Sequence, residues 1–313
     1  MNGKPAIRQV GRILKGTRTK DGAGVSLLRV FSSPEAKDLD PFLLFDAFGS
    51  EEPSEYLPGF PRHPHRGMET VTYMLEGTVR HGDSLGNSGT IGKGDLQWMS
   101  AGSGIIHEEM PQFSPRGVIG FQLWVNLPRA EKMKDPEYRD APAASVPSVA
   151  FPGGTVKPLA GGFRGIAGPV TGIVRDPAYF DINLEPDAVL DLETPRSQTC
   201  FAYVYAGFLV LQGVPSGADA GAAAGTATAG AAAAGGSIPS GGTAAANSCV
   251  LFGPGDLARL QAGSAGCSLV FARAEPLHEP IAWGGPIVMN TNEELETAFR
   301  EYERGTFVKT GKK

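Results

Sequence analysis

The feature that most constrains the fold of this chain is a motif that occurs twice. Gly92-Lys-Gly-Asp-Leu-Gln-Trp-Met-Ser-Ala-Gly102 and Gly253-Pro-Gly-Asp-Leu-Ala-Arg-Leu-Gln-Ala-Gly263 both read G-x-G-D-L-x-x-x-x-A-G. Upstream of each lies a second match, Tyr73-Met-Leu-Glu-Gly77 against Tyr203-Val-Tyr-Ala-Gly207, ending a β-rich run. Such self-similarity marks a duplicated unit. A chain of 313 residues has room for two units at roughly 100–200 residues each. Glycine (43) and proline (25) are abundant, and helical periodicity is scarce before the C-terminus, so each unit reads as short strands and turns. The expectation is an all-β chain: two tandem β-barrels over residues 5–140 and 165–285, then a C-terminal segment 286–313 with a short helix.

That helix is signalled by the capping box Thr291-Asn-Glu-Glu294, followed by Leu295, Ala298, Phe299 and Tyr302 at i, i+3, i+4, i+7. The stretch 214–247 is almost entirely Ala, Gly, Ser and Thr. It cannot bury enough apolar surface to offset its ordering entropy and is expected to be a disordered hairpin insertion in the second unit.

Net charge is −5 with the basic residues scattered, which leaves no electrostatic footprint for direct nucleic-acid binding. Any role at DNA would run through a protein partner. No apolar stretch approaches the ~20 residues that span a bilayer, and Cys200, Cys249 and Cys267 have no paired spacing. The expected setting is intracellular and reducing, cytoplasmic and/or nuclear.

Four of the five histidines fall between positions 63 and 107. In a strand, residues i and i+2 project from one face, so His63 and His65 point together, as do His107 and Glu109. Pro64 cannot donate to a ladder, which places the first pair at an edge or barrel mouth. Three imidazoles and a carboxylate at one point make a metal site. Mapping one copy of the repeat on the other turns the four positions into Glu193, Pro195, Ser268 and Val270, so the second unit keeps its turns and lacks the ligands. This donor set, with no thiolate, leaves open positions on an octahedral divalent ion, and Fe(II) fits it best, other divalent transition metals being compatible.

At this point the motifs resemble a known family. Asp40-Pro-Phe-Leu-Leu-Phe-Asp46, Gly59-Phe-Pro-Arg-His-Pro-His-Arg-Gly67, Glu69-Thr-Val-Thr-Tyr73, Gly104-Ile-Ile-His-Glu-Glu-Met-Pro111, Gln122-Leu-Trp-Val-Asn-Leu-Pro128 and Pro286-Ile-Val-Met-Asn-Thr-Asn-Glu-Glu294 are similar to pirins. The resemblance implies a bicupin, two cupin-type barrels with one iron in the first, held by His63, His65, His107 and Glu109. In other cupins the carboxylate ligand follows H-x-H closely, which nominates Glu69; the pattern here favours Glu109, with Glu69 a carboxylate supporting the site. Arg66 is a candidate for steering an anionic substrate, or a surface ion pair. Arg80-His-Gly-Asp-Ser-Leu-Gly-Asn-Ser-Gly departs from the family pattern and is expected to be a loop near the pocket with His81 exposed.

Two functions are implied by the resemblance. One is a quercetin 2,3-dioxygenase, in which a flavonol binds through its 3-hydroxyl, Glu109 takes the proton, and O2 opens the ring with loss of CO. The other is a redox-sensing co-regulator that contacts a transcription factor. A mouth lined by Phe and Leu favours the first; a charged, open mouth near Arg66 and Glu69 favours the second.

Overall fold

The computed structural model describes residues 4–175, 177–211 and 242–309, with the short strand Gly235–Gly236. The first barrel is built from two sheets. A seven-stranded sheet runs in the order Glu137–Ala141, Leu96–Ser100, Met68–Glu76, Val118–Asn126, Phe42–Ser50, Val25–Phe31, Thr17–Asp21. A four-stranded sheet runs Phe60–His65, Ile105–Pro111, Val79–Asp83, Ser88–Ile91. The second barrel is one ten-stranded sheet whose two halves share the long strand Leu257–Ala274. All these pairings are antiparallel.

Strand alternation gives the seven-stranded sheet two different faces. One carries Phe45, Tyr73, Trp98 and Phe121 against Phe201, Tyr203 and Val270 of the second barrel, in the largest apolar cluster. Phe45 sits 5.7 Å from the Phe201 ring and 5.1 Å from that of Tyr203. The other face is the interior of the first barrel, and it is crossed by a polar row. Arg29 is opposite Asp46, Asp46 opposite Gln122, Gln122 opposite Thr72, Thr72 opposite Gln97, and Gln97 opposite Asp140. Below that row Phe48, Met74 and Val79 close the barrel with an apolar plug.

Three sequence expectations need correction here. First, the boundaries at 5 and 165 do not follow the sheets. Val10–Leu14 pairs with Ser248–Phe252, and Gly154–Ala160 pairs with Ala178–Leu184, so both belong to the second barrel. The tail in turn reaches back to the first barrel, where Val288 N donates to Arg66 O at 3.0 Å. Second, most of the segment 214–247 expected to be disordered lies outside the described residues, but Gly235–Gly236 pairs with Ile13 and Leu14, and Thr243–Ala245 pairs with Phe208–Val210, with Ala244 fully buried. Third, the doubled G-x-G-D-L motif is out of structural register by one strand. It leads into Leu96–Ser100 in the first barrel, whose partner position Leu96–Tyr73 corresponds to Cys249–Tyr203 in the second. Gly253–Asp256 instead leads into Leu257, a strand that pairs with Val189–Glu193 as Ile105–Pro111 pairs with Phe60–His65.

The helix forms as Asn292–Glu303 behind the Thr291 cap, with both hydrogen bonds of the capping box present. Of its apolar stripe only Ala298 is fully buried, while Phe299 and Tyr302 each remain 39% exposed. The helix therefore lies across the barrel by a narrow seam with Ile287, Met289 and Phe307.

Candidate metal centre

His63 and His65 share the edge strand Phe60–His65, and His107 stands directly opposite His63 on the neighbouring strand. Their Nε2 atoms converge: His63 to His65 at 3.0 Å and His63 to His107 at 3.1 Å. His63 Nδ1 lies 2.9 Å from Pro61 O, and His65 Nδ1 lies 3.2 Å from Pro286 O. A carbonyl only accepts, so each Nδ1 carries the proton and each Nε2 presents a bare lone pair. Lone pairs aimed at each other across 3 Å repel unless a cation lies between them. Ligands about 2.1 Å from a metal and at right angles to each other are themselves about 3.0 Å apart, so these two spacings fit neighbouring positions around one ion. The anchoring carbonyls are the outer partners that orient metal-binding imidazoles.

Burial, reinforced by the neighbouring imidazoles, drives His65 and His107 well below the usual histidine range, which keeps them neutral at physiological pH. Neutral imidazole is the form that ligates.

The fourth predicted donor is not brought into the group. His107 and Glu109 keep one face, paired without a break against Asp83 and His81, but the Glu109 carboxylate accepts from Thr72 Oγ1 at 3.0 Å and from Gln122 Nε2 at 2.9 Å. Gln122 in turn accepts from Trp124 Nε1 at 3.2 Å, and Trp124 meets the His65 ring edge-on at 5.2 Å. Among the described residues the cluster whose donor atoms all lie within 4.8 Å is His63, His65 and His107 alone.

Glu69 stands on the other face of its sheet. Gly67, at φ +75°, breaks the strand after His65, so residues 63 to 69 do not share a face as a straight strand would require. The Glu69 carboxylate accepts from Trp98 Nε1 at 3.0 Å, in the layer between the barrels, where burial raises its pKa. Arg66 is likewise no steering group. It is 2% exposed, donates to Glu301 Oε2 at 2.7 Å and Phe307 O at 2.8 Å, and lies 4.2 Å over the Phe307 ring. Its work is to hold the C-terminal tail. His81, expected on an exposed loop, is buried on the strand Val79–Asp83, 3.1 Å from Gln97 Nε2 and stacked on Tyr138. The turn beyond it is tied down by Asp83, which accepts from Leu85 N, Asn87 N and Asn87 Nδ2, each at 2.8 Å.

A cavity of about 560 Å³ opens beside His63 and His65. Its walls include Leu44, Phe60, Trp124, Trp283 and Pro286, with Gln122, Asp21, Arg29 and Asp46 supplying polar groups. Gln122, Thr72, Arg29 and Asp46 were missed by reading the sequence for histidines. Their signal was present: Asp46, Gln122 and Thr72 are polar residues at inward parity on strands that otherwise read as buried.

Among the described residues the second barrel has no such site. Val79 is opposite Pro111 two residues past Gly77, and Leu209 is opposite Ala262 two residues past Gly207. Counting along the paired strands, His63, His65, His107 and Glu109 correspond to Leu192, Thr194, Ala258 and Leu260, which replaces the assignment to Glu193, Pro195, Ser268 and Val270. All four are buried.

Two barrels in one chain with the same strand order, only the first with a histidine cluster, define a bicupin. The chain belongs to the pirin family. The Pirin family model matches residues 24–125 and that of the Pirin C-terminal cupin domain matches 179–308. It is 42% identical over 96% of its length to a pirin-like protein of Caulobacter vibrioides, covering 99% of that relative. Among solved structures it is similar to a quercetin 2,3-dioxygenase from Acinetobacter baumannii (TM-score 0.80, 28% identity, 96% of this chain and 99% of that one). The fold also matches the bacterial pirin YhhW of Escherichia coli, solved in complex with nickel(II) (TM-score 0.59, 19% identity, 84% of this chain and 98% of that one).

Proposed function

We propose that the protein is a metal-dependent dioxygenase that opens the central ring of a flavonol such as quercetin with O2 and releases CO. The observation that carries this reading is the set of three imidazole Nε2 atoms, His63 lying 3.0 Å from His65 and 3.1 Å from His107, beside an aromatic-walled cavity. A divalent metal, iron(II) in our reading, would supply there the Lewis acidity that favours an ionised substrate hydroxyl and a partner for dioxygen.

His63, His65 and His107 hold that ion, and Glu109, two residues along the strand from His107, is the carboxylate available to complete the set and to take the hydroxyl proton. Thr72 and Gln122 fix its orientation by donating to its two oxygens. Trp124, Trp283 and Phe60 offer flat apolar walls that orient an aromatic substrate, within the volume range of small-molecule sites. Pro286 and Trp283 come from the C-terminal tail, so the tail both positions His65 and keeps water from one side of the cavity. The mouth is not the charged surface around Arg66 and Glu69 that a partner-binding switch would present, since both side chains are buried elsewhere. The similarity to a protein named quercetin 2,3-dioxygenase supports the same reading.

Aerobic incubation of iron-reconstituted protein with quercetin, followed by its visible absorbance, should show turnover that His63→Ala abolishes. No loss of absorbance with fully loaded wild type would sink the assignment for this substrate.

A further inference from the structure

The cavity has a second polar end. There Arg29 is held by Asp46 through two parallel hydrogen bonds, Nε to Oδ1 at 3.0 Å and Nη2 to Oδ2 at 2.8 Å, and by Asp21 Oδ2 at 2.7 Å. These three residues line the cavity. Two carboxylates around one guanidinium leave the wall with a net charge of about −1 when all are ionised. Asp46 is consumed by the fork. Arg29 Nη1 makes no hydrogen bond among the described residues, and the Asp21 side chain is 51% exposed. The wall therefore presents a free N–H donor beside a carboxylate acceptor, while its net charge disfavours an anionic ligand.

A pair of adjacent neutral hydroxyls matches this, one accepting from Arg29 and one donating to Asp21. We propose that Asp21 and Arg29 form a subsite of the cavity that selects aromatic substrates carrying vicinal phenolic hydroxyls. The inference rests on the dioxygenase reading for its reaction, but the binding it describes stands apart from turnover. A wall built only to hold strands together would use all its donors, and here Nη1 is left over.

The test compares quercetin, whose pendant ring is a catechol, with galangin, whose pendant ring has no hydroxyls, in wild type and Asp21→Asn. The substitution keeps the shape and removes the acceptor charge at a half-exposed position. KM for quercetin should rise about tenfold with kcat within about twofold, while galangin is unaffected, the size expected for one charge-assisted hydrogen bond. In parallel, anaerobic titration of metal-loaded protein is read by quenching of tryptophan fluorescence, since Trp124 and Trp283 line the cavity. It should show the same roughly tenfold loss of affinity for quercetin alone. If neither flavonol is turned over yet this selective loss of binding appears, the subsite stands and the assigned reaction does not. Equal effects on both ligands, or none on either, would overturn the subsite.

Discussion

The two barrels share one strand order and differ in what fills their interiors. In the first, the face across from the histidines carries Arg29, Asp46, Gln122, Thr72 and Gln97 in one row. In the second, Leu190, Leu192, Ala258 and Leu260 belong to a continuous apolar core. A buried polar group is costly unless it is hydrogen-bonded, so the first barrel holds its side chains by directed contacts and the second by packing. The difference shows that the scaffold tolerates either filling and that the histidine cluster lies in the half whose interior is crossed by polar side chains.

That contrast breaks most severely at His107, whose counterpart is Ala258. His107→Ala makes the first barrel resemble the second at that point. Metal content by elemental analysis should fall from near one per chain to near zero, and turnover should drop about a thousandfold or more. Retention of stoichiometric metal would show that the three imidazoles are not a unit. Leu260→Ala tests the other half. Unfolding in denaturant should reveal a loss of about 2–5 kcal/mol, as for a truncated leucine in a closed core, while metal content stays at the wild-type level. A loss of metal without loss of stability would reverse the roles given to the two interiors.

The smallest effect is expected on the outside of the second barrel, where Asp191 and Arg259 face each other across a strand pair with both bonds at 2.7 Å. The hydrogen bond from Arg259 lowers the Asp191 pKa. A carboxylate depressed in the folded state stabilises above its unfolded value and loses that contribution as pH falls through its folded value. Asp191→Asn should therefore cost under about 1 kcal/mol at pH 7, given the exposure of the pair, and the deficit should begin to shrink as pH falls below about 4. A thermal-melt series from pH 7 to pH 3 reads this; a deficit that persists in acid would mean the asparagine has damaged packing instead.

Much of the site was legible before any coordinates. The parity of His63 with His65 and the separate His107 suffice to bring three imidazoles to one end of a barrel. Glu109 shares their parity and their face, but its carboxylate is engaged by Thr72 and Gln122 of the facing sheet, a pairing across the barrel that the sequence does not display. Glu69 failed for another reason: a single glycine at positive φ transfers the chain from one sheet to the other. Arg66 could not be read because its partners, Glu301 and Phe307, lie more than two hundred residues away. The doubled motif announced duplication correctly yet sat on two different strands, since a glycine turn before a strand suits any hairpin of this fold. The polar row escaped notice because its members come from six strands and align only through register.

The exchange of terminal segments has a consequence of its own. The segment from Ala6 to Leu14 is stitched into the distal barrel, where Arg8 donates to Thr194 and Pro195, while residues 282–309 return to shut the proximal one. Each half thus borrows its closing piece from the opposite end of the polypeptide. Neither could be excised, swapped with a relative's or produced alone without leaving a seam open, so the pair must be inherited and folded as a single indivisible object, even though only one of them carries the reactive centre.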